Sequence, residues 1–176
     1  MFDYQPTLTG DVLTLRPAAA SDWEALYAIG SDPQVWAMHP ARERYTEANF
    51  RAYFEDGLAS GGALVAVSRA DGAVLGWSRY SDKFADPGEM EIGWTFLGCA
   101  YWGGGWNTEM KRLMLTHAFR FVPTVIFRIG DENLRSRRAV EKLGAKRTGK
   151  AETALADGKP ATHLYYAIGR QDFAGG

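Results

Sequence analysis

The chain has 176 residues, of which 46% are hydrophobic and 23% are charged, values typical of a folded globular protein. Its formal net charge of −1 gives no reason to expect a nucleic-acid partner or an anionic membrane surface. A single cysteine excludes an internal disulfide, which fits a reducing cytoplasm, and no apolar run is long enough to span a membrane. We therefore expect one domain over residues 1–176, located in the cytoplasm.

The first half of the sequence predicts one strand, then helices, then a hairpin. Residues 1–10 are expected to form a loose lead-in, and a capping box from Ser21 to Glu24 predicts the start of the first helix. The dipeptide Asp71-Gly72 is a strong hairpin signal. The predicted elements are a strand at 12–16, a helix at 21–29, a helical turn at 33–36, a helix from 46 to about 60, and strands at 63–69 and 73–80.

The second half of the sequence predicts a strand, a long helix and a second strand in succession. In the first of these strands Met90, Ile92, Trp94 and Phe96 alternate with polar residues, which predicts that the four share one face. Asn133 is a good N-cap for a later helix. The predicted elements are strands at 89–97, 124–129, 145–147 and 162–168, and helices ending near Phe121 and Leu143. The total is about seven strands and four helices.

A glycine-rich stretch, Tyr101-Trp102-Gly103-Gly104-Gly105-Trp106-Asn107-Thr108-Glu109, connects the 89–97 strand to the long helix. Glycine permits positive φ, and the unpaired N–H groups at a helix N-terminus favour an anion such as phosphate. Lys111 and Arg112 near the start of the helix fit a bound polyanion, although a plain tight turn with two solvated basic residues is the alternative. No Gly-Lys-Ser/Thr follows the glycines, so the stretch is not a P-loop.

The strand–helix–strand unit at residues 89–129 predicts two parallel strands joined by a right-handed crossover. Ligands of such sheets bind at the carboxyl ends of the strands. The glycine stretch and the end of the 124–129 strand should therefore lie at the same edge of the sheet.

Three segments together resemble the GNAT superfamily of acetyl-CoA-dependent N-acetyltransferases, and within it the ribosomal-protein alanine N-acetyltransferase (Rim-type) branch. They are Glu91–Trp94, Tyr101–Gly105 and Asn133–Ala145, and the resemblance extends over nearly the whole chain. It implies an α/β fold with a mixed, mostly antiparallel sheet, in which acetyl-CoA lies between two splayed parallel strands. The implied coenzyme-binding residues are Trp94, Thr95, Phe96, Trp102, Gly103, Gly104, Gly105, Trp106, Asn107, Thr108, Asn133 and Ser136.

The sequence departs from the usual superfamily loop, Gln/Arg-x-x-Gly-x-Gly/Ala, at two positions. Trp102 stands at the Gln/Arg position and Asn107 at the final Gly/Ala, while Gly105 matches. Rim-type members resemble this sequence in having Trp at the first position. Asn107 is expected to cap the long helix and to leave the other amides free for the pyrophosphate.

The resemblance also implies the groups that would act in acetyl transfer to an amine. The amine must lose a proton, and Glu91 is the candidate base, with Glu89 as the fallback. The pKa of Glu91 would have to be raised, since an ordinary glutamate titrates near 4.3. The leaving thiolate must gain a proton, and Ser136 is the candidate acid. The alternatives are a solvated strand carboxylate for Glu91 and a locally bonded serine for Ser136.

Family substrates bind near the first helices, which implies Trp36, His39 and Tyr80 as candidate acceptor-binding residues. His117 lies on the apolar stripe of the long helix, so we interpret it as a core histidine. The three histidines and Cys99 have no metal-ligand spacing, and no metal is expected.

The leading interpretation is an N-acetyltransferase that moves acetyl from acetyl-CoA to a primary amine, on a protein N-terminus or a small molecule, by direct attack in a ternary complex. The alternatives are a CoA- or acyl-CoA-binding module without catalysis and a nucleotide-binding domain. A homodimer is compatible with the aromatic-rich composition, and no nucleic-acid or membrane partner is expected.

Overall fold

The computed structural model describes residues 1–174 and contains one mixed sheet with helices on both faces; the last two residues of the predicted domain lie outside this range. The strands are Leu8–Thr9 (β1), Leu13–Pro17 (β2), Ala63–Ser68 (β3), Val74–Ser81 (β4), Glu89–Leu97 (β5), Thr124–Gly130 (β6), Lys146–Ala156 (β7) and Lys159–Gly169 (β8). The α-helices are Trp23–Gly30 (α1), Pro33–Trp36 (α2), Glu47–Ala59 (α3), Trp106–Ala118 (α4) and Leu134–Lys142 (α5).

The sheet has the strand order β1-β2-β3-β4-β5-β6-β8-β7, and every neighbouring pair is antiparallel except β5 and β6. These two parallel strands pair only at Glu89 with Thr124, Met90 with Val125 and Glu91 with Ile126. Beyond Glu91 and Ile126 they separate, and a gap opens at the carboxyl end of both strands. The predicted α/β class and the splayed parallel pair are confirmed.

Two hydrophobic cores lie on opposite faces of the sheet. On one face Met114 of α4 and Val140 of α5 pack with Ile92 and Phe127. On the other face the aromatic side chains of α1–α3 pack against β3, β4 and β5, in a cluster that includes Trp36, Phe50, Tyr53, Trp77 and Phe96. Burial of each large side chain contributes about 1.5–3 kcal/mol, so both layers hold the central strands firmly.

A bulge in β5 overturns the prediction that Met90, Ile92, Trp94 and Phe96 share one face. The pairing with β4 passes from Arg79–Gly93 to Trp77–Phe96, which leaves an extra residue in β5, and Trp94 has a φ of 51°. An extra residue reverses the alternation of side chains beyond it. Ile92 therefore packs in the core under α4, whereas Phe96 packs in the core under α3.

The predicted count of seven strands and four helices is low by one strand and one helix within residues 1–174. The lead-in at residues 1–10 is not loose, because it contains β1. The residues that follow it, Asp11, Val12 and Leu13, donate backbone N–H groups to the Glu109 carboxylate of α4. The short strand predicted at 145–147 extends to Ala156 as β7. β7 is an edge strand exposed along nearly its whole length, so it lacks the alternation that identifies a half-buried strand.

The helix ends agree only partly with the predicted caps. Asn133 caps α5, because its side chain accepts the Ser136 N–H at 3.3 Å. The capping box at Ser21 does not form. Instead, the Asp22 carboxylate accepts the Ala19 N–H and forms an ion pair with Arg16. Asn107 is not a cap either, since α4 already begins at Trp106, and α4 ends at Ala118 rather than near Phe121.

Candidate active site

The gap between β5 and β6 is the centre of a cavity of about 570 Å³. Thr95 of β5 and Phe127 of β6 line it. Both lie beyond Glu91 and Ile126, the last residues at which the two strands pair. The cavity reaches the glycine loop at one end, α5 along one side and the α2 region at the other end. Residues of the sheet and of the helices on both of its faces therefore line one cavity.

The bulge in β5 is held from both faces of the sheet. From α3, the Tyr53 hydroxyl donates to the carbonyl of Trp94 and accepts from Trp77 Nε1 at 2.7 Å. From α4, Lys111 Nζ donates to Thr95 Oγ1 and to Ser78 Oγ, the latter at 3.0 Å. The backbone that borders the gap is thus fixed by side chains of two different helices.

The glycine loop presents unpaired amides to the cavity. Gly103 and Gly105 have φ of 76° and 83°, and a Cβ added at either position would meet open space. The first N–H of α4 that bonds backward is that of Glu109, to the Gly105 carbonyl at 2.9 Å. The N–H groups of Asn107 and Thr108, which line the cavity, are therefore left for a ligand, as at any helix N-terminus.

The wall along α5 is basic and aromatic. Trp102 Nε1 donates to the Leu97 carbonyl at 3.1 Å, and the Arg135 guanidinium stacks 3.4 Å from the centre of the Trp102 ring. Arg138 and Lys142 also line the cavity. Trp102 thus joins the end of β5 to α5, and the cations on this wall suit an anionic ligand.

Glu91 lies directly behind the cavity wall at the bulge. The residue is 2% exposed, and its Oε1 would be 3.0 Å from a Cβ added at Gly93, which lines the cavity. Its Oε2 has no hydrogen-bond partner within the described residues. Burial raises the pKa of Glu91 to about 7, although Arg128 and Arg79 oppose the shift. A carboxyl group with this pKa can accept a proton near neutral pH.

The far end of the cavity contains two histidines. His39 and His163 both line it, and His163 Nδ1 is buried without a partner among residues 1–174. Burial, with the nearby charge of Arg44, lowers the pKa of His39 well below its usual value, so its imidazole is neutral. Arg128, which also lines this end, bonds Tyr165 and Glu152.

Comparison with known proteins identifies the chain. The family model for the acetyltransferase (GNAT) domain matches residues 12–146. The chain belongs to the GNAT acetyltransferase family. It is an acetyl-CoA-dependent N-acyltransferase, and it is 25% identical to the uncharacterized N-acetyltransferase YnaD of Bacillus subtilis over 165 residues, or 92% of this chain and 95% of YnaD.

Solved structures share the fold of this acetyltransferase. A GNAT-family acetyltransferase from Bacillus anthracis has a TM-score of 0.79 at 22% identity, with 94% of this chain and 99% of that chain covered. RimJ of Mycobacterium smegmatis, solved in complex with CoA-disulfide, has a TM-score of 0.74 at 19% identity, with 99% and 92% covered. The predicted family is confirmed, and RimJ shares the fold of this chain.

The cavity of the acetyltransferase fits coenzyme A. Open space above the glycines and free amides suit a pyrophosphate, and the gap between β5 and β6 suits an extended arm. Most of the predicted coenzyme-binding residues line it, namely Trp94, Thr95, Phe96, Trp102, Gly103, Gly105, Asn107, Thr108, Asn133 and Ser136.

Four predicted site residues lie outside this lining, and one of them is Glu91, which lies behind Gly93. Gly104 and Trp106 are in the glycine loop but do not border the cavity. Tyr80 is 1% exposed in the core, where its hydroxyl donates to the Met114 carbonyl at 2.7 Å. His117 is the core histidine that its position predicted, with Nε2 2.8 Å from the Asp3 carbonyl.

Several residues that border the site were not found from the sequence. The sequence assigns no functional role to Tyr53, and it predicts that Lys111 faces a bound polyanion or solvent, yet both residues hold the bulge. The sequence predicted no role for His163, one of the three histidines that lack metal-ligand spacing. None of the helices within residues 1–174 is both long and apolar enough to cross a membrane.

Proposed function

We propose that this acetyltransferase moves the acetyl group of acetyl-CoA to a primary amine, by direct attack within a ternary complex. The acceptor is a protein N-terminus or a small-molecule amine. The observation that carries the proposal is that the glycine loop, the bulge of β5 and the two histidines, His39 and His163, all line one cavity.

The two ends of the cavity suit two different substrates. The coenzyme would place its pyrophosphate on the amides of Asn107 and Thr108 and its arm in the gap between β5 and β6. The acceptor would enter from the end lined by Trp36, His39 and His163. Both substrates would then meet at the bulge, where a thioester needs only positioning and proton transfer to react with an amine.

Glu91 is the proposed base. It lies behind Gly93 at the bulge, and its raised pKa of about 7 suits removal of a proton from an amine, directly or through water. Ser136 lines the cavity, and no hydrogen bond of its hydroxyl to another described residue competes with contact to the coenzyme. The bulge supplies backbone N–H groups for the thioester carbonyl, on which negative charge develops.

The experiment is a screen of peptide N-termini and small amines with acetyl-CoA, in which the released CoA thiol is measured. With the best acceptor, Glu91→Gln should lower kcat by about 10²–10⁴-fold with little change in acetyl-CoA binding. Glu89→Gln is the matched control, because Glu89 is on the same strand but only half-buried, and its carboxylate accepts the Asp86 N–H.

Three outcomes would contradict parts of this proposal. A larger loss in Glu89→Gln than in Glu91→Gln would move the base to Glu89. Unchanged turnover in Glu91→Gln would remove the base from the mechanism. Tight binding of CoA with no acetylated amine in the whole screen would favour a coenzyme-binding module without catalysis.

A further inference from the structure

Lys111 is a lysine buried within the apolar face of α4. It is 4% exposed, although it lies in the second turn of α4 between apolar residues of the same face such as Met110 and Met114. A buried cation is costly unless it is paired, and within residues 1–174 no carboxylate forms an ion pair with it. A leucine or methionine at this position would fill the same space without that cost.

The Lys111 ammonium lies beneath the gap between β5 and β6. Nζ bonds Thr95 Oγ1 on β5 and Ser78 Oγ on β4, and it is 5.9 Å from the centre of the Phe127 ring on β6. Lys111, Thr95 and Phe127 all line the cavity. The described hydrogen bonds use two of the three ammonium protons, so one remains for a group within the cavity.

We propose that Lys111 donates the proton that the leaving thiolate of the coenzyme must gain. The inference rests on the proposed acetyl transfer, because it requires the thioester to lie at the bulge between Thr95 and Phe127. Lys111 then faces the sulfur from the α4 side of the sheet, while Glu91 faces the amine from the opposite side of β5.

The proton balance of this step is complete. The amine nitrogen bonds the carbonyl carbon, the C–S bond breaks with its electron pair on sulfur, and Lys111 Nζ gives a proton to that sulfur. The proton lost by the amine nitrogen passes to Glu91. Solvent then returns a proton from Glu91 to Lys111, so that amine and thioester have become amide and thiol with no net change in the protein.

The surroundings of Lys111 suit a proton donor. Hydroxyl groups face Nζ from β4 and β5, an aromatic ring faces it from β6, and Glu91 is the nearby charge that favours its ammonium form. Burial lowers the pKa of Lys111 to about 7, below the ordinary value of about 8.5 for a thiol. Proton transfer from this ammonium to a thiolate is therefore favourable.

The first test measures the thiol of bound CoA and needs no acceptor. Wild-type protein and Lys111→Met are saturated with CoA, and the ultraviolet absorbance of the thiolate is followed against pH. A cation beside the sulfur should lower the pKa of the bound thiol in the wild type, although not below the pKa of about 7 of Lys111 itself, and the shift should disappear in Lys111→Met. Equal thiol titration in both proteins, with CoA bound, would overturn the role of Lys111 and leave the coenzyme site intact.

The second test separates proton donation from a fixed positive charge. Lys111→Met and Lys111→Arg should both lower kcat by about 10²-fold or more, because an arginine keeps the charge but does not release its proton. The KM for acetyl-CoA should change little, and Arg120→Met, which removes an exposed cation just beyond the end of α4, should behave as wild type. Full activity in Lys111→Arg would overturn proton donation, and failure of CoA to bind at all would instead refute the proposed function.

Discussion

The hydroxyl of Tyr53 in α3 donates a hydrogen bond to the carbonyl of Trp94, the residue of β5 that has a positive φ. The same hydroxyl accepts from Trp77 Nε1, so one oxygen ties α3 to both β4 and β5. A non-glycine residue with positive φ is strained and persists where its surroundings hold it. Tyr53 is therefore a support of the bulge on which the site depends.

Tyr53→Phe should destabilise the protein by about 1–3 kcal/mol, because it leaves the Trp77 N–H and the Trp94 carbonyl buried without their partner. The midpoint of thermal unfolding should fall by about 2–4 °C for each kcal/mol. Tyr45→Phe is the control, since Tyr45 is exposed. Equal stability of the two variants would mean that the bulge does not depend on this hydroxyl.

Gly105→Ala should weaken acetyl-CoA binding as well as stability. Gly105 caps α4 with a φ of 83°, and a left-handed conformation costs a residue with a Cβ about 1–2 kcal/mol. Gly149 in β7 is a matched control, because it has a φ of 85°, is equally open and does not line the cavity. Gly149→Ala should lose similar stability and keep wild-type binding in a calorimetric titration. Equal binding losses in both variants would argue against the glycine loop as the coenzyme site.

Glu109→Ala should destabilise the attachment of the N-terminal segment to α4. Its carboxylate accepts N–H groups from Asp11, Val12 and Leu13, with distances from 2.6 to 3.2 Å. Removal leaves these donors without their acceptor, and a loss of about 1–3 kcal/mol in urea unfolding is expected. The control is Glu47→Ala, which removes only an exposed ion pair with Arg51 and should cost less than about 1 kcal/mol. Similar losses in both variants would contradict this role.

The free energy of unfolding should change with pH in opposite directions below and above neutral pH, because of the buried residues Glu91 and Lys111. The folded-state pKa of Glu91 is about 7 against an ordinary 4.5, so the folded protein holds a proton that the unfolded chain has released. The free energy of unfolding should therefore fall between these pH values, by on the order of 3 kcal/mol. For Lys111 the folded-state pKa is about 7 against 10.5, so the unfolded chain holds the extra proton, and stability should rise over that window.

Urea unfolding at a series of pH values, between 4.5 and about 7 for Glu91 and between about 7 and 10.5 for Lys111, checks how the free energy of unfolding changes with pH. Relative to the wild type, Glu91→Gln should flatten the fall below neutral pH, and Lys111→Met should flatten the rise above it. At neutral pH Lys111→Met should be at least as stable as the wild type, because it removes a buried amine. An unchanged slope in either variant would mean that the residue titrates as an ordinary solvated group.

The sequence supports predictions where the signal is local. Asn133 could be assigned as a cap because its side chain bonds an amide three residues ahead, and the glycine loop stands directly before a periodic helix. The 89–97 strand was likewise evident from its alternation, but the bulge was not. A bulge depends on how β4 pairs with β5, and no pattern within β5 alone contains that register.

Lys111 could not be placed from the sequence for a similar reason. A lysine in the first turns of a helix is ordinarily solvated. The burial of Lys111 depends on the hydroxyl groups of Ser78 and Thr95, which are 33 and 16 residues away in the chain. β7 was underestimated because both of its faces are exposed, which removes the usual pattern. The burial of Lys111 and the length of β7 both arise from tertiary contacts, and the residues next to them in the sequence give no sign of either.

Thermal unfolding with acetyl-CoA, CoA, ATP and NAD added separately tests the coenzyme site most directly. A ligand at about 100 times its dissociation constant stabilises a protein by about 2.7 kcal/mol, which is roughly 5–10 °C for a chain of this size. We expect that rise with acetyl-CoA and CoA, a smaller rise with both in Gly105→Ala, and none with NAD. No rise with either CoA species, or an equal rise with NAD, would contradict a coenzyme site in the gap between β5 and β6.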